Sequence, residues 1–330
     1  MKVRDNAFKY YFKFMQSRMD IWWKRYEGKK PPYTKDPILQ DYRFTQVYRS
    51  LDRVSQYLIK DVIYVPGYKK MSEEDIILRI LLFKIFNKIE TWQDIEKGLG
   101  EVNVKTFDVK KVNDILAKRI VEHPVFTNAF MSTGMMYSRF KGGEDKFKHK
   151  HERYIQVLAD EMMNPLFLKK IIKAKKLEDI YKSFLDITYV AGFIAMQHTI
   201  DLNYSPIINF DENSFIHAGK GTVRGIHKAA ELGNWSEEKF IHWVHENLQG
   251  YAKYYGYDKF RPLPGRMPML CDLSNVFCEF DKYTRMADPS LQVYDKGKKR
   301  KIKNTFKMNP SQIEYFFPPK WGDVMLSKNK

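Results

Sequence analysis

Cysteine is almost missing from these 330 residues: there are two, Cys271 and Cys278. On a helix, at a rise of ~1.5 Å per residue, their α-carbons sit roughly 10 Å apart, beyond disulfide reach, so both are expected as free thiols. Two thiols cannot hold a four-cysteine iron–sulfur cluster. With no C-x-x-C or H-E-x-x-H spacing, no structural zinc is expected either. Long apolar runs are missing too. No stretch reaches the roughly 18 to 20 apolar residues that a bilayer crossing needs, so no membrane partner is expected. The opening "MKVRDNAFKYYFKF" lacks a long apolar core and a small-residue cleavage site, so a cytoplasmic location is expected. Alternating patterns long enough to build a sheet are absent, as are repeats of solenoid length. Acidic residues are in deficit, 40 against 57 Lys and Arg, for a formal charge of +17. A field of that sign draws polyanions, which makes nucleic acid the first partner to consider.

What is present reads as helix almost throughout. With 44% hydrophobic and 15% aromatic residues the chain can bury one large core or two smaller ones. Residues 6–27 are dense in aromatics and end near Gly28, and "KKPPYTKDP" is a proline-punctuated loop. From Ile38 to Lys60 a helical pattern returns, with Phe44, Val47, Leu51, Val54 and Leu58 as its buried face. Ser72 with Asp75, and Asp108, mark two helix starts. Two helices joined by a tight turn fit "LEDIYKSFLDITYVAGFIAMQHTIDLNYS", and further helices fit near 222–232, 236–254 and 270–286. The fold class is all-α. The organisation is a helical domain over 1–290, as one body or as two lobes meeting at the charged stretch 141–153, followed by a basic tail, 291–330.

Three stretches bear on chemistry. Along "CDLSNVFCEFDKYTR" an apolar face (Leu273, Val276, Phe277, Phe280) backs a polar line of Asp272, Asn275, Glu279 and Lys282. Such a line borders a pocket or, read structurally, is an exposed face rich in i, i+3 and i+4 pairs, with Asp281 and Arg285 as a supporting ion pair. In "DYRFTQVYRSLDRVSQYL", Gln46, Arg49, Arg53 and Gln56 fall on one helical stripe beside Asp52, a composition suited to phosphate clamping and base-edge recognition as well as to a solvated face. In "AGKGTVRGIHK", Lys220, Gly221, Thr222 and Arg224 open a helix where N–H groups and cations can meet phosphate. This is not a Walker A loop, because Ser214 stands where its first glycine belongs, and no cofactor is called for.

The hairpin "LDITYVAGFIAMQHTIDL" is similar to the phosphate-binding hairpin of helix-hairpin-helix DNA glycosylases, with Tyr189 and Ala191 in place of the two glycines and Gly192 one step later. That resemblance implies a catalytic role for Asp211, which follows the second helix, with Asn213 beside it. Phe193 stands where some members carry a Schiff-base lysine, so lyase chemistry is not implied. An exposed capping loop accounts for Asp211, Glu212 and Asn213 equally well.

Together, "DPILQDYRFTQVYRSLDRVSQYLI", "ILRILLFKIFNKIETW", "FDENSFIHAGKGTVRGIHK" and "MLCDLSNVFCEFDKYTR" resemble the alpha-glutamyl/putrescinyl thymine pyrophosphorylases and the related helical domain of 5-hydroxymethyluracil DNA kinases, over roughly residues 20–290. The resemblance implies a glycosylase-like helical fold working in a bacterial or phage-infected cell. Its implied substrate is double-stranded DNA carrying a modified pyrimidine that is flipped out of the helix. In the implied reaction an amine or amino acid replaces a pyrophosphate on the 5-methylene group of thymine; the alternative is a glycosylase that excises a modified pyrimidine. On this reading Asp211, Asp272, Glu279 and Lys282 are catalytic, and Gln46, Arg49, Arg53, Asn213, Asn275 and Arg285 bind substrate. Gly192, Lys220, Gly221, Thr222 and Arg224 would contact DNA. The resemblance implies asparagine at the position where this chain has Gln46.

Overall fold

A computed structural model describes residues 1–128, 147–291, 302 and 313–322. Nearly all regular structure among them is helical, as the sequence pattern requires. The helices are α1 (Asp5–Tyr26), α2 (Pro37–Asp41), α3 (Arg53–Tyr57), α4 (Glu73–Phe86), α5 (Ile89–Leu99), α6 (Val109–Glu122) and α7 (Lys150–Val157). They continue with α8 (Pro165–Ile172), α9 (Leu177–Leu185), α10 (Gly192–Leu202), α11 (Lys220–Ala229), α12 (Glu237–Tyr254) and α13 (Leu270–Ala287). Two short strands, β1 (Lys2–Val3) and β2 (Ala230–Glu231), pair antiparallel. The chain forms two compact units: Met1–Asp52, Phe215–Tyr315 and Trp321–Lys330 make the first, Arg53–Ser214 and Phe316–Lys320 the second. Of the expected connection 141–153, residues 147–153 belong to the second unit and 141–146 lie outside the described residues. Of the basic tail 291–330, residues 292–301, 303–312 and 323–330 lie outside them as well.

The first unit is built on aromatic packing between α1, α12 and α13. Phe8, Tyr11 and Phe12, one face of α1, are fully buried, and Tyr11 lies 4.2 Å from Phe277 of α13 between ring centroids. Phe240 of α12 completes the cluster at 5.8 Å from Phe277. Each such side chain removed from water contributes about 1.5–3 kcal/mol. Where α11 crosses α13, glycine decides the separation. A Cβ on Gly225 would stand 2.1 Å from the Phe277 carbonyl oxygen, which is backbone and cannot swing aside. Gly225→Ala is therefore expected to cost about 3 kcal/mol in urea unfolding. A milder loss is expected for Gly221→Ala, whose Cβ would meet the Cys278 side chain.

In the second unit α4 is buried on every side from Ile76 to Phe86, which makes it the central helix. Ser72 and Asp75 cap it reciprocally at 3.1 and 3.2 Å, and Asp108 caps α6 through the Lys111 N–H at 2.7 Å. Both helices start where the local pattern predicts. Inside, Arg79 donates to the carbonyls of Val62 and Val102 at 2.8 and 3.1 Å, so its charge is held by backbone dipoles and by Glu96. The α9–α10 hairpin has a tight turn in which Tyr189 takes φ +67°. That is the left-handed conformation glycine adopts freely and a tyrosine adopts at about 1–2 kcal/mol. Glu161 braces the turn by accepting from the Thr188 N–H and hydroxyl at 2.8 and 2.7 Å.

One expected helix is different. Instead of running from Ile38 to Lys60, the chain forms α2, then a non-helical stretch with a single 3-10 turn at Arg49–Leu51, then α3 and a wide π turn, Leu58–Ile63. Phe44, Val47, Leu51 and Leu58 are buried as expected, while Val54 is half-buried.

Candidate active site

The stretch 44–52 is not α-helical, because side chains of α13 and α1 take several of its backbone hydrogen bonds. The Thr45 N–H donates to Glu279 Oε2 at 3.1 Å and the Arg49 N–H to Asp272 Oδ1 at 2.8 Å. Asn275 donates to the Gln46 carbonyl at 3.0 Å and exchanges with the Thr45 hydroxyl at 3.1 Å. From α1, Arg18 donates to the Thr45 carbonyl at 3.0 Å and to the Phe44 carbonyl at 3.3 Å. The polar line on α13 is thus turned inward and grips a loop, with Asp272 and Glu279 nearly excluded from water. Asp272 has both oxygens engaged, since Oδ2 accepts from the Met269 N–H at 3.0 Å and starts the helix.

The grip positions Asp52. Its Oδ1 accepts the Gln46 N–H at 2.9 Å, and the charges of Arg18, Glu279 and Arg49 act on it. Burial raises the Asp52 carboxyl to about 7, Glu279 pushes in the same direction, and the Gln46 N–H, Arg18 and Arg49 oppose them. Burial likewise brings the Arg18 guanidinium down to about 10, against the pull of Asp52 and Glu279. The Gln46 side-chain oxygen is buried with no hydrogen-bond partner among the described residues. A carboxyl titrating near neutrality, beside a second carboxylate and flanked by arginines, can accept a proton from an incoming group while the cations hold an anion.

Further along α13, Glu279 pairs with Lys282, whose amine would be lowered by burial but is raised by that carboxylate. Asp281 holds three cations: Lys228 at 2.8 Å, Arg224 at 3.1 Å and Arg285, the pairing expected from the i, i+4 spacing. Burial alone would lift Asp281, yet Lys228 and Arg285 outweigh it and hold the carboxyl below its usual range.

The remaining candidates lie elsewhere. Lys220 is the exposed first residue of α11. Gly221 and Thr222 belong to the helix itself and face α13, where Thr222 donates its hydroxyl to the Ser274 carbonyl at 2.9 Å. Packing, instead of an open phosphate turn, accounts for both. In the second unit, Arg53 is exposed at the head of α3 and Gly192 opens α10. Asp211 is exposed and closes a turn by accepting the Asn213 N–H at 2.9 Å. Gln46, Arg49, Arg53 and Gln56 form no stripe, because two lie in the gripped loop and two in α3.

Residues 5–293 match the family model described as the helical domain of 5-hmdU DNA kinase. The chain belongs to that family. A 5-hmdU DNA kinase of Bacillus phage SP10 is 23% identical over 320 residues, 93% of this chain and 49% of the relative. The chain therefore spans about half the length of that relative. No solved structure matches it. Within the family match fall α1, the gripped loop, α11 and α13, so the helical domain contains every residue of the Asp52 and Asp281 clusters. Sequence reasoning missed three contributors to these clusters. Arg18 sat in an aromatic helix, Lys228 gave no signal, and Asp52 was seen only as a neighbour of an expected stripe.

Proposed function

We propose that this protein modifies thymine in DNA, replacing a pyrophosphate on the 5-methylene carbon with an amine or amino acid. The nitrogen attacks the methylene carbon, the carbon–oxygen bond breaks, and pyrophosphate leaves with the electron pair. The ammonium proton goes to Asp52. Arg49 and Lys282 offset charge on the departing group, while Asp272, Asn275 and Glu279 act by holding the loop that carries Asp52, Gln46 and Arg49. The observation that carries this reading is the held loop itself, in which Thr45 and Arg49 are bonded to Glu279 and Asp272 and the Gln46 N–H to Asp52, whose carboxyl burial raises to about 7. A free carboxylate of ordinary acidity is a poor acceptor for an ammonium proton, and the raised value shortens that gap. The relative is named for 5-hmdU in DNA, which supports a modified thymine as the starting base. The formal charge of +17 supports a polyanionic substrate. Lys220 and the head of α10 at Gly192 are the proposed backbone contacts.

The test is mass spectrometry of nucleosides and released bases after incubation with hydroxymethyluracil DNA and with pyrophosphorylated DNA, each with putrescine or glutamate. A nucleoside heavier than hydroxymethyldeoxyuridine, in intact DNA and with one pyrophosphate released per event, is expected from the pyrophosphorylated DNA, and no product from the hydroxymethyluracil DNA, which has no pyrophosphate to lose. Free base with alkali-labile sites would instead establish a glycosylase, the alternative in which Asp211 stabilises the oxocarbenium-like state or orients water. Glu279→Gln is expected to lower turnover at least about 100-fold, on the scale of a lost acid–base arrangement, with the fold retained.

A further inference from the structure

The Asp281 cluster carries more positive charge than its structural task requires. Four cations, Arg224, Lys228, Lys282 and Arg285, surround two carboxylates, Glu279 and Asp281. The Cys278 thiol feels the charges of Glu279, Lys282, Asp281 and Arg224 together, so these groups share one neighbourhood. An excess of two positive charges remains. The cations are also not equivalent. Lys228 is 3% exposed, bonded to Asp281 and to the Thr284 hydroxyl, and serves as the anchor. Arg224 and Arg285 are 19% and 10% exposed and use only part of their donor sets. Among the described residues Asp281 is the only hydrogen-bond partner of the Arg224 side chain, through Nε, and the Arg285 Nε is buried with no partner. A buried N–H left without an acceptor costs about 1–3 kcal/mol, which an arriving oxyanion would relieve.

We propose that Arg224 and Arg285, set side by side by the carboxylate of Asp281, form with Lys282 a seat for the two phosphoryl groups of a diphosphate. Asp281 is then a positioning residue. It fixes two guanidinium forks whose outer N–H groups match phosphate oxygens, as arginine does where planar recognition of phosphate is needed. The identity of the occupant as the pyrophosphate displaced from thymine rests on the function proposed above. A phosphate of the DNA backbone presents the same chemistry, and the two sources are separable.

Calorimetry of the full chain with inorganic pyrophosphate at fixed ionic strength provides the test, with an unmodified duplex titrated in parallel. Arg224→Gln and Arg285→Gln are each expected to weaken pyrophosphate binding at least tenfold and duplex binding less than twofold. Lys239→Gln, the same charge change at an exposed position on α12, is expected to leave both unchanged. Arg285→Lys keeps the charge, guards against misfolding as the cause, and is expected to fall between the wild type and Arg285→Gln. Pyrophosphate affinity unaltered in both glutamine variants would overturn the seat. Equal losses toward duplex and pyrophosphate would overturn it in favour of a backbone contact. If pyrophosphate binds through these arginines while no heavier nucleoside is ever formed, the seat stands and the proposed reaction falls. Product formation with unaltered pyrophosphate affinity would keep the reaction and remove the seat.

Discussion

Asp201→Asn is expected to destabilise the protein by about 3–5 kcal/mol, because it leaves an ammonium group in the core without its carboxylate. Lys84 of α4 and Asp201 of α10 pair at 2.8 Å with side chains 5% and 1% exposed. His198, one turn earlier on α10, cannot take over. It stacks on Phe184 at 4.9 Å, and burial, helped by Lys84 and opposed by Asp201, drops its ring to about 3, so it is neutral at pH 7. The pair itself is not a source of net stability, since removing two charges from water costs about as much as their attraction returns. Hence the double replacement Lys84→Met with Asp201→Leu is expected to recover most of the loss. Urea unfolding of the wild type and both variants measures this. A loss below about 1 kcal/mol in Asp201→Asn would show that water reaches Lys84 after all.

That pair also shows what the sequence carries and what it hides. Lys84 and Asp201 are ordinary charged residues in helical runs, and only the packing of α4 against α10 buries them. Helix identity was legible because it is local: Ser72, Asp75 and Asp108 cap where their own neighbours need acceptors, and the i, i+3, i+4 apolar spacing survives any tertiary arrangement. Residues 42–52 carry the same spacing and are not α-helical. The N–H groups of Thr45 and Arg49 go to Glu279 and Asp272, more than two hundred positions later in the chain, and no window of local sequence contains both partners. The buried positions were read correctly while the element was not, because burial follows the apolar residues and the backbone follows its hydrogen bonds.

The candidate site divides in the same way. The line on α13 was visible as a pattern, and the question it raised has a structural answer: Asp272, Asn275 and Glu279 are directed at backbone. Gly221 was legible as a candidate phosphate turn and Gly225 was not singled out, whereas both let two helices approach. Asp52 had no distinguishing neighbour in sequence. Its character comes from burial beside Glu279 and Arg18, both distant along the chain.

Asp52→Asn is expected to reduce turnover about 1000-fold or more while making the neutral-pH protein more stable. As the proposed base, Asp52 must be ionised to act, so turnover of the wild type should fall as pH drops through about 7. The stability effect has the opposite dependence. A carboxyl near 3.9 in the unfolded chain and about 7 in the fold favours the native state most at low pH, and that contribution is lost as pH rises between those two values. Asparagine keeps an acceptor for the Gln46 N–H and carries no charge to bury, so the variant should gain on the wild type between about pH 4 and 7. Glu279 separates this account from a merely structural one. Its charge is among the causes that raise Asp52, so residual turnover in Glu279→Gln should show its acid limb at lower pH than the wild type. An unmoved limb would assign the titration to another group, and an Asp52→Asn variant with full turnover would remove Asp52 from the chemistry.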